Sequence, residues 1–345
     1  MAGVNTIIPP LDYNSIQSVI STVLGVGSGN AGYGQALSSA QVSAGAIVTV
    51  AQMVALRNDL SKARVHQTNT AISDGVASTP ANIGSPYQTL QLITIPSVAP
   101  VKIQEAIRDQ YSQFATGVQT NEDVAAAGQL TAGVSITSTT RSADWNGTIS
   151  HTVTITFAGF NNGSVAVSAA DHARVFFNAG GKITYTASNA SWPADASATK
   201  SQDWADMLSG LGTVSFGASA TAISGGVNSP GSVASGTGFR SLTIAGAAST
   251  ILTQASSVSV YNENRFTIDV SRPTSSTLLF VLTFADLDTG GVQQPVAPGS
   301  TPGQAAGPVV DEPVKGTLTS TVTCTYPSGA NVTVPAPTGS ATAIA

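Results

Sequence analysis

The sequence predicts an α+β chain: a small N-terminal helical segment, then a mainly antiparallel β-sandwich with two short helices. Two observations carry this. The apolar spacing is helical up to about residue 125 and changes to a period of two from about Gly128. Beyond that point, nine or ten short strand patterns alternate with Gly, Asn and Pro turns, about the signature of an antiparallel sandwich. The expected division is therefore 1–125, a helical anchoring or assembly region, and 126–345, a β-sandwich domain with a Pro/Gly-rich loop at 290–307.

In the first part, Pro9 and Pro10 stop any earlier helix and Asp12 is the expected N-cap. Ile16, Val19, Ile20, Val23 and Leu24 then form one apolar face, ended by the glycine-rich run Gly25–Gly34. A second helix starts at Thr49, which has capping-box spacing to Gln52. Met53, Leu56, Leu60 and Ala63 mark its buried side. Arg57, Asp59, Lys62, Arg64 and His66 give it a local density of charge. A third helix follows Pro100, with Ile103, Ile107, Tyr111 and Phe114 inward. A short strand is expected at 90–95.

In the second part, Val134 and Ile136 alternate with polar residues. Asp144-Trp145-Asn146-Gly147 turns the chain, and Ile149, Val153 and Ile155 return as the expected hairpin partner. Asn161-Asn162-Gly163 is another turn. Ser168 opens a helix that runs to about Phe177, and Gln202–Leu211 forms the second, with Trp204, Met207, Leu208 and Leu211 inward. Further strands are expected at 182–187, 213–216, 240–244, 250–260, 265–271 and 277–284. A last hairpin, 316–325 with 331–334, is expected around Pro327-Ser328-Gly329.

Composition narrows function. The 345 residues include 13 Lys plus Arg and 18 Asp plus Glu, only 9% charged, where about 25% is usual. A dispersed monomer depends on surface charge, so this chain reads as a component with much of its surface covered by copies of itself or by partners. The net charge of −5 and the absence of a basic stripe argue against nucleic acid as partner. No apolar run reaches the roughly 18 residues of a membrane span, and no secretory leader pattern is visible at Met1-Ala2-Gly3. Synthesis in a cytoplasm is expected.

No catalytic, cofactor or metal site is expected. The single cysteine, Cys324, lies in an alternating strand pattern and reads as a small apolar residue. Gly27, Gly29 and Gly32 match G-x-G-x-x-G, but a helix precedes them instead of a strand, so a loop is expected. His66, His151 and His172 lack metal-ligand spacing. Asp286-Leu287-Asp288-Thr289-Gly290 offers oxygens suited to Ca²⁺ but lacks the EF-hand pattern and reads as a polar turn. Trp145 and Trp192 in expected loops, and Tyr87 beside Pro86, are candidate interface anchors. With them stand Ile16, Val19, Ile20, Arg57, Asp59, Arg64 and His66 on the expected docking helices, and Tyr33 in the glycine-rich run after the first.

Five stretches together resemble a known group: YNSIQSVISTVLGVGSGNAGYG at 13–34, LRNDLSKARVHQT at 56–68, ARVFFNAGGKITY at 173–185, DWADMLSGLGTVSF at 203–216 and VVDEPVKGTLTST at 309–321. They are similar to virion structural proteins of tailed phages, notably contractile-tailed phages of marine cyanobacteria. The resemblance implies a non-enzymatic particle component in the tail, neck, baseplate, collar or a fibre. A homo-oligomer, trimer or hexamer, that docks to other virion proteins is expected beside it, because appendages are usually built from symmetric copies. A receptor- or glycan-binding module at a fibre tip, meeting a host surface receptor, and a capsid decoration protein are the alternatives.

Overall fold

Helix starts follow their capping chemistry. The computed structural model describes residues 10–72, 111–118, 123–195, 198–288 and 311–345. Helix α1 (Pro10–Leu24) begins at Pro10, not after Asp12. Proline suits the first helical position because its missing N–H would have no partner there, and Asp12 falls in the first turn, where a carboxylate meets the positive dipole end. Helix α2 (Val50–Thr68) carries the full capping box: Gln52 N donates to Thr49 Oγ1 at 3.3 Å and Thr49 N donates to Gln52 Oε1 at 2.7 Å. Helix α3 spans 111–118. The expected strand at 90–95, the start of the third helix, Tyr87 and the loop at 290–307 lie outside the described residues.

Two packed units result. One comprises residues 1–131, 158–181 and 326–336, and the other 132–157, 182–325 and 337–345. The helical unit thus takes in chain from beyond residue 125. Strands β3 (Phe160–Asn162) and β4 (Val165–Val167) make the hairpin expected at Asn162-Gly163. Helix α4 (Ala169–Asn178) starts on Ser168, whose hydroxyl accepts from Asp171 N at 3.1 Å. Tyr13, Ile20, Val23, Leu56, Leu60, Ala63, Tyr111, Phe176 and Phe177 are buried in this unit.

The second unit is a β-sandwich-like pair of antiparallel sheets. Its strands are β1 (Leu130–Arg141), β2 (Gly147–Thr156), β5 (Lys182–Ala190), β6 (Val214–Phe216), β7 (Thr221–Ile223), β8 (Ser232–Val233), β9 (Ser249–Ala255), β10 (Arg265–Thr274), β11 (Thr277–Asp286), β12 (Thr317–Pro327) and β13 (Thr338–Ala341), with helix α5 (Ala198–Leu211) between β5 and β6. One sheet runs β1-β12-β5-β6-β7 and the other β13-β2-β11-β10-β9-β8. Alternation of buried and half-buried positions over the first eight residues of β11 and of β12 directs Leu278, Phe280, Leu282, Leu318, Val322 and Cys324 inward. Tyr185 stacks on Phe266 at 5.6 Å and Phe216 meets Phe280 edge-on at 5.5 Å, joining the two inner faces. Burial pushes the Cys324 thiol up to about 11, so it stays protonated as an apolar strand residue does.

Two expected pairings and one expected strand differ. Strands β1 and β2 lie in different sheets and form no hairpin. The chain between them is held by a bridge to Val314: Trp145 N donates to Val314 O at 3.0 Å and Val314 N donates to Trp145 O at 2.7 Å. That bridge draws Trp145 inward and turns Asn146-Gly147 (φ +81°) into a passage between sheets. The expected last hairpin is also absent. Residues 331–334 contribute one bridge, Ser328 to Thr333, and the C-terminal strand β13 pairs instead with β2. Residues 239–241 form a 3-10 turn in place of a strand at 240–244.

Candidate functional site: a buried lysine held by three aspartates

Helix geometry forces a charge into the sandwich unit. On α5 the buried positions are Lys200, Ser201, Asp203, Trp204, Met207, Leu208 and Leu211, an i, i+3, i+4, i+7 face. Lys200 shares that face with Trp204 and is fully buried. Its Nζ lies 3.0 Å from Asp286 Oδ2, 2.7 Å from Asp288 Oδ1 and 2.9 Å from Asp311 Oδ1. Asp286 ends β11 and Asp288 follows it by two, so both carboxylates turn inward while Leu287 stands exposed.

Neighbouring amides orient the carboxylates. Asn264 Nδ2 donates to Asp288 Oδ2 at 3.1 Å, and Asn264 Oδ1 accepts from Leu287 N and Asp288 N. Asn146 Nδ2 donates to Asp311 Oδ2 at 2.8 Å. Trp145 and Trp204 meet edge-on at 4.7 Å beside Phe284.

One ammonium against three carboxylates leaves net negative charge in a poorly solvated place, which is costly unless a proton is retained. Burial pushes Asp286 up to about 7 against the opposing pull of Lys200. Burial also raises Asp288 and takes Asp203 to about 6. For Asp311 the burial effect is outweighed by hydrogen bonds from Lys200 and Asn146, and its carboxyl falls below the usual range. Burial disfavours the Lys200 charge, but the three aspartates outweigh it and hold the amine above its ordinary value.

The expected polar turn at Asp286–Asp288 is therefore wrong in one respect: both side chains are buried. Carboxylate oxygens of Asp286, Asp288 and Asp311 converge to within 4.8 Å, close enough to hold a cation. Lys200 Nζ already fills that role, and a Ca²⁺ would have to displace it. Lys200 and Asp311 were legible only as scattered charges, because they are far from Asp286 in sequence.

The candidate interface residues have mostly intramolecular work. Ile16, Ile20, Tyr33, Asp59, His66 and Trp145 are buried, while Val19, Arg57, Arg64 and Trp192 are half-buried. Asp59 accepts from Ser38 N, Ser39 N and Ser39 Oγ at 2.7–3.0 Å, fixing the chain before α2. Arg57 Nη2 donates to Ile72 O at 3.2 Å, and Arg64 lies over the Phe114 ring at 4.2 Å. The dense charge of α2 thus largely braces its own unit. Trp145 is 5% exposed and is not a surface anchor, because its backbone bridge and Trp204 hold it in the core. The glycine-rich loop is also a brace. Arg174 donates to the carbonyls of Val26 at 2.6 Å, Gly27 at 3.2 Å and Ala31. Carbonyls converging on a guanidinium give the opposite polarity to a phosphate cradle.

All three histidines are buried and bonded to protein. His151 Nε2 meets Ser320 Oγ at 2.7 Å, and His172 lies between the carbonyls of Ala158 and Pro335. His66 Nε2 meets Ala179 O at 3.0 Å with Tyr33 edge-on at 5.1 Å. Burial lowers His66 from 6.5 to about 4, only partly offset by the Ala179 carbonyl. The unfolded chain thus takes up this proton first on acidification. The helical unit keeps the full contribution above pH 6.5 and loses it as pH falls toward 4. A loss on the order of 3 kcal/mol is expected. It is read as reduced protection of α2 amides in hydrogen exchange, and an identical pH profile in His66→Gln would refute it.

Comparison with protein families, with curated proteins and with solved structures finds no match to this chain.

Proposed function

We propose that this chain is a non-enzymatic structural component of a tailed-phage virion, associated with the tail or neck, that works by symmetric self-assembly and by docking to other virion proteins. The observation that carries the reading is the 9% charge, with the outward faces of β2 and β12 made of uncharged Ser and Thr. Outward positions of β2 are Ser150, Thr152, Thr154 and Thr156, and those of β12 are Thr317, Thr319, Thr321 and Thr323. Among the described residues β1 is an edge strand, twelve residues long, with no charge before Arg141. Edge strands of free monomers are usually blunted by charge, and an unblunted one suits pairing with another copy or partner. No helix of the described residues is long and apolar enough to cross a membrane.

Light scattering on the purified chain is expected to show a homo-oligomer. Immunogold labelling of intact cyanobacterial phage particles is expected to mark the tail or neck. A stable monomer that does not bind purified particles overturns the reading, and label over the capsid favours a decoration protein. A receptor- or glycan-binding tip is the second reading. It is favoured by Trp192, half-exposed after Ser191, a residue held at φ +62°.

A further inference from the structure

Lys200 and Asp286 are both fully buried, and Nζ lies 3.0 Å from Oδ2. We propose that Lys200 Nζ and Asp286 Cγ become joined by an intramolecular isopeptide bond, with Asp288 carrying the proton. The inference stands apart from the virion reading and requires no partner.

Geometry selects the three participants. The amine is already in contact with the carboxyl it would attack, and preassembled reactants of this kind react as though at very high concentration. Asp286 is the electrophile because an un-ionised carboxyl accepts a nucleophile and a carboxylate does not. Its Oδ1 has no hydrogen-bond partner among the described residues, while the second oxygens of Asp288 and Asp311 are held by Asn264 and Asn146. Burial also raises Asp286 toward neutrality. The resting lysine is an ammonium and must lose a proton. Asp288 Oδ1, 2.7 Å away, is placed to take it. Asp311, 35% exposed, stays ionised and keeps Nζ in position.

The step balances. Asp288 removes one proton from the Lys200 ammonium. The freed electron pair forms the Nζ–Cγ bond with the Asp286 carboxylic acid. The Cγ–OH bond then breaks, and the hydroxyl leaves as water with the second amine proton. An amide, one water and a protonated Asp288 result, with no oxidant or cofactor required. The reaction occurs once per molecule, so a slow step suffices. The bond would tie α5 to the end of β11 across 86 residues of chain.

The test is the intact mass of the purified full chain under denaturing conditions. The expected mass is one water below that of the sequence. Trypsin should leave Lys200 uncut, in a peptide branched to the one containing Asp286. Lys200→Arg and Asp288→Asn are expected at full, unlinked mass. A parent chain at full sequence mass overturns the proposal, and so does a branch mapped to Asp288 or Asp311. Because mass is read on unfolded protein, a variant that folds poorly does not obscure the parent result.

Discussion

Lys200→Met is expected to destabilise the sandwich unit by about 3–5 kcal/mol, the usual cost of removing one partner from a buried ion pair. The lost ammonium leaves Asp286 and Asp288 facing each other at 0% and 3% exposure, with Asp311 beside them. Tryptophan fluorescence during denaturant unfolding reads this directly, because all three tryptophans, Trp145, Trp192 and Trp204, belong to that unit. Adding Asp286→Leu should recover part of the loss, since an apolar replacement of the buried pair removes the repulsion. A single variant as stable as the parent would show that the cluster contributes little. Where the isopeptide bond has formed, an amide replaces the Lys200–Asp286 ion pair, and the single variant loses that cross-link instead.

Trp145→Ala is the second large effect, expected at about 3–5 kcal/mol of lost stability, as for other aromatic truncations in cores. The indole meets Trp204 at 4.7 Å and Phe284 at 6.5 Å, and alanine would leave a cavity against both. Trp192→Ala is the contrast. Its side chain is half-exposed, so stability should change by less than about 1 kcal/mol while any surface recognition by that loop is lost. Host adsorption lost with Trp192→Ala, assembly being intact, would move the reading to a receptor-binding tip. If Trp145→Ala were harmless to folding, the core placement of that residue would be wrong.

The elements whose signals are short-range were legible. Thr49 with Gln52 caps α2, Ser168 caps α4, and Asn162-Gly163 turns β3 into β4. Each needs only residues a few positions apart, so local chemistry decides it. Where a second segment had to be chosen, local reasoning failed. Asn146-Gly147 carries a strong hairpin dipeptide, yet a distant bridge to Val314 sends the chain into the other sheet. The charges of α2 resembled a docking face because their partners, among them Ser38, Ser39, Ile72 and Phe114, come from other segments.

The α+β class, most strand positions and the charge poverty are properties of residue order and composition, since side-chain period and capping act within a turn or two of chain. The lysine–aspartate cluster is of a different kind. Lys200 shows itself in sequence only as a polar interruption near the start of an apolar helix face. Asp286 and Asp311 lie 86 and 111 residues further on. Only the packing of α5 against the end of β11 brings them within hydrogen-bonding distance. Burial of Lys200, Asp286 and Asp288 there, with half-buried Asp311 at the edge, then makes one coupled group, because charges withdrawn from water must satisfy one another.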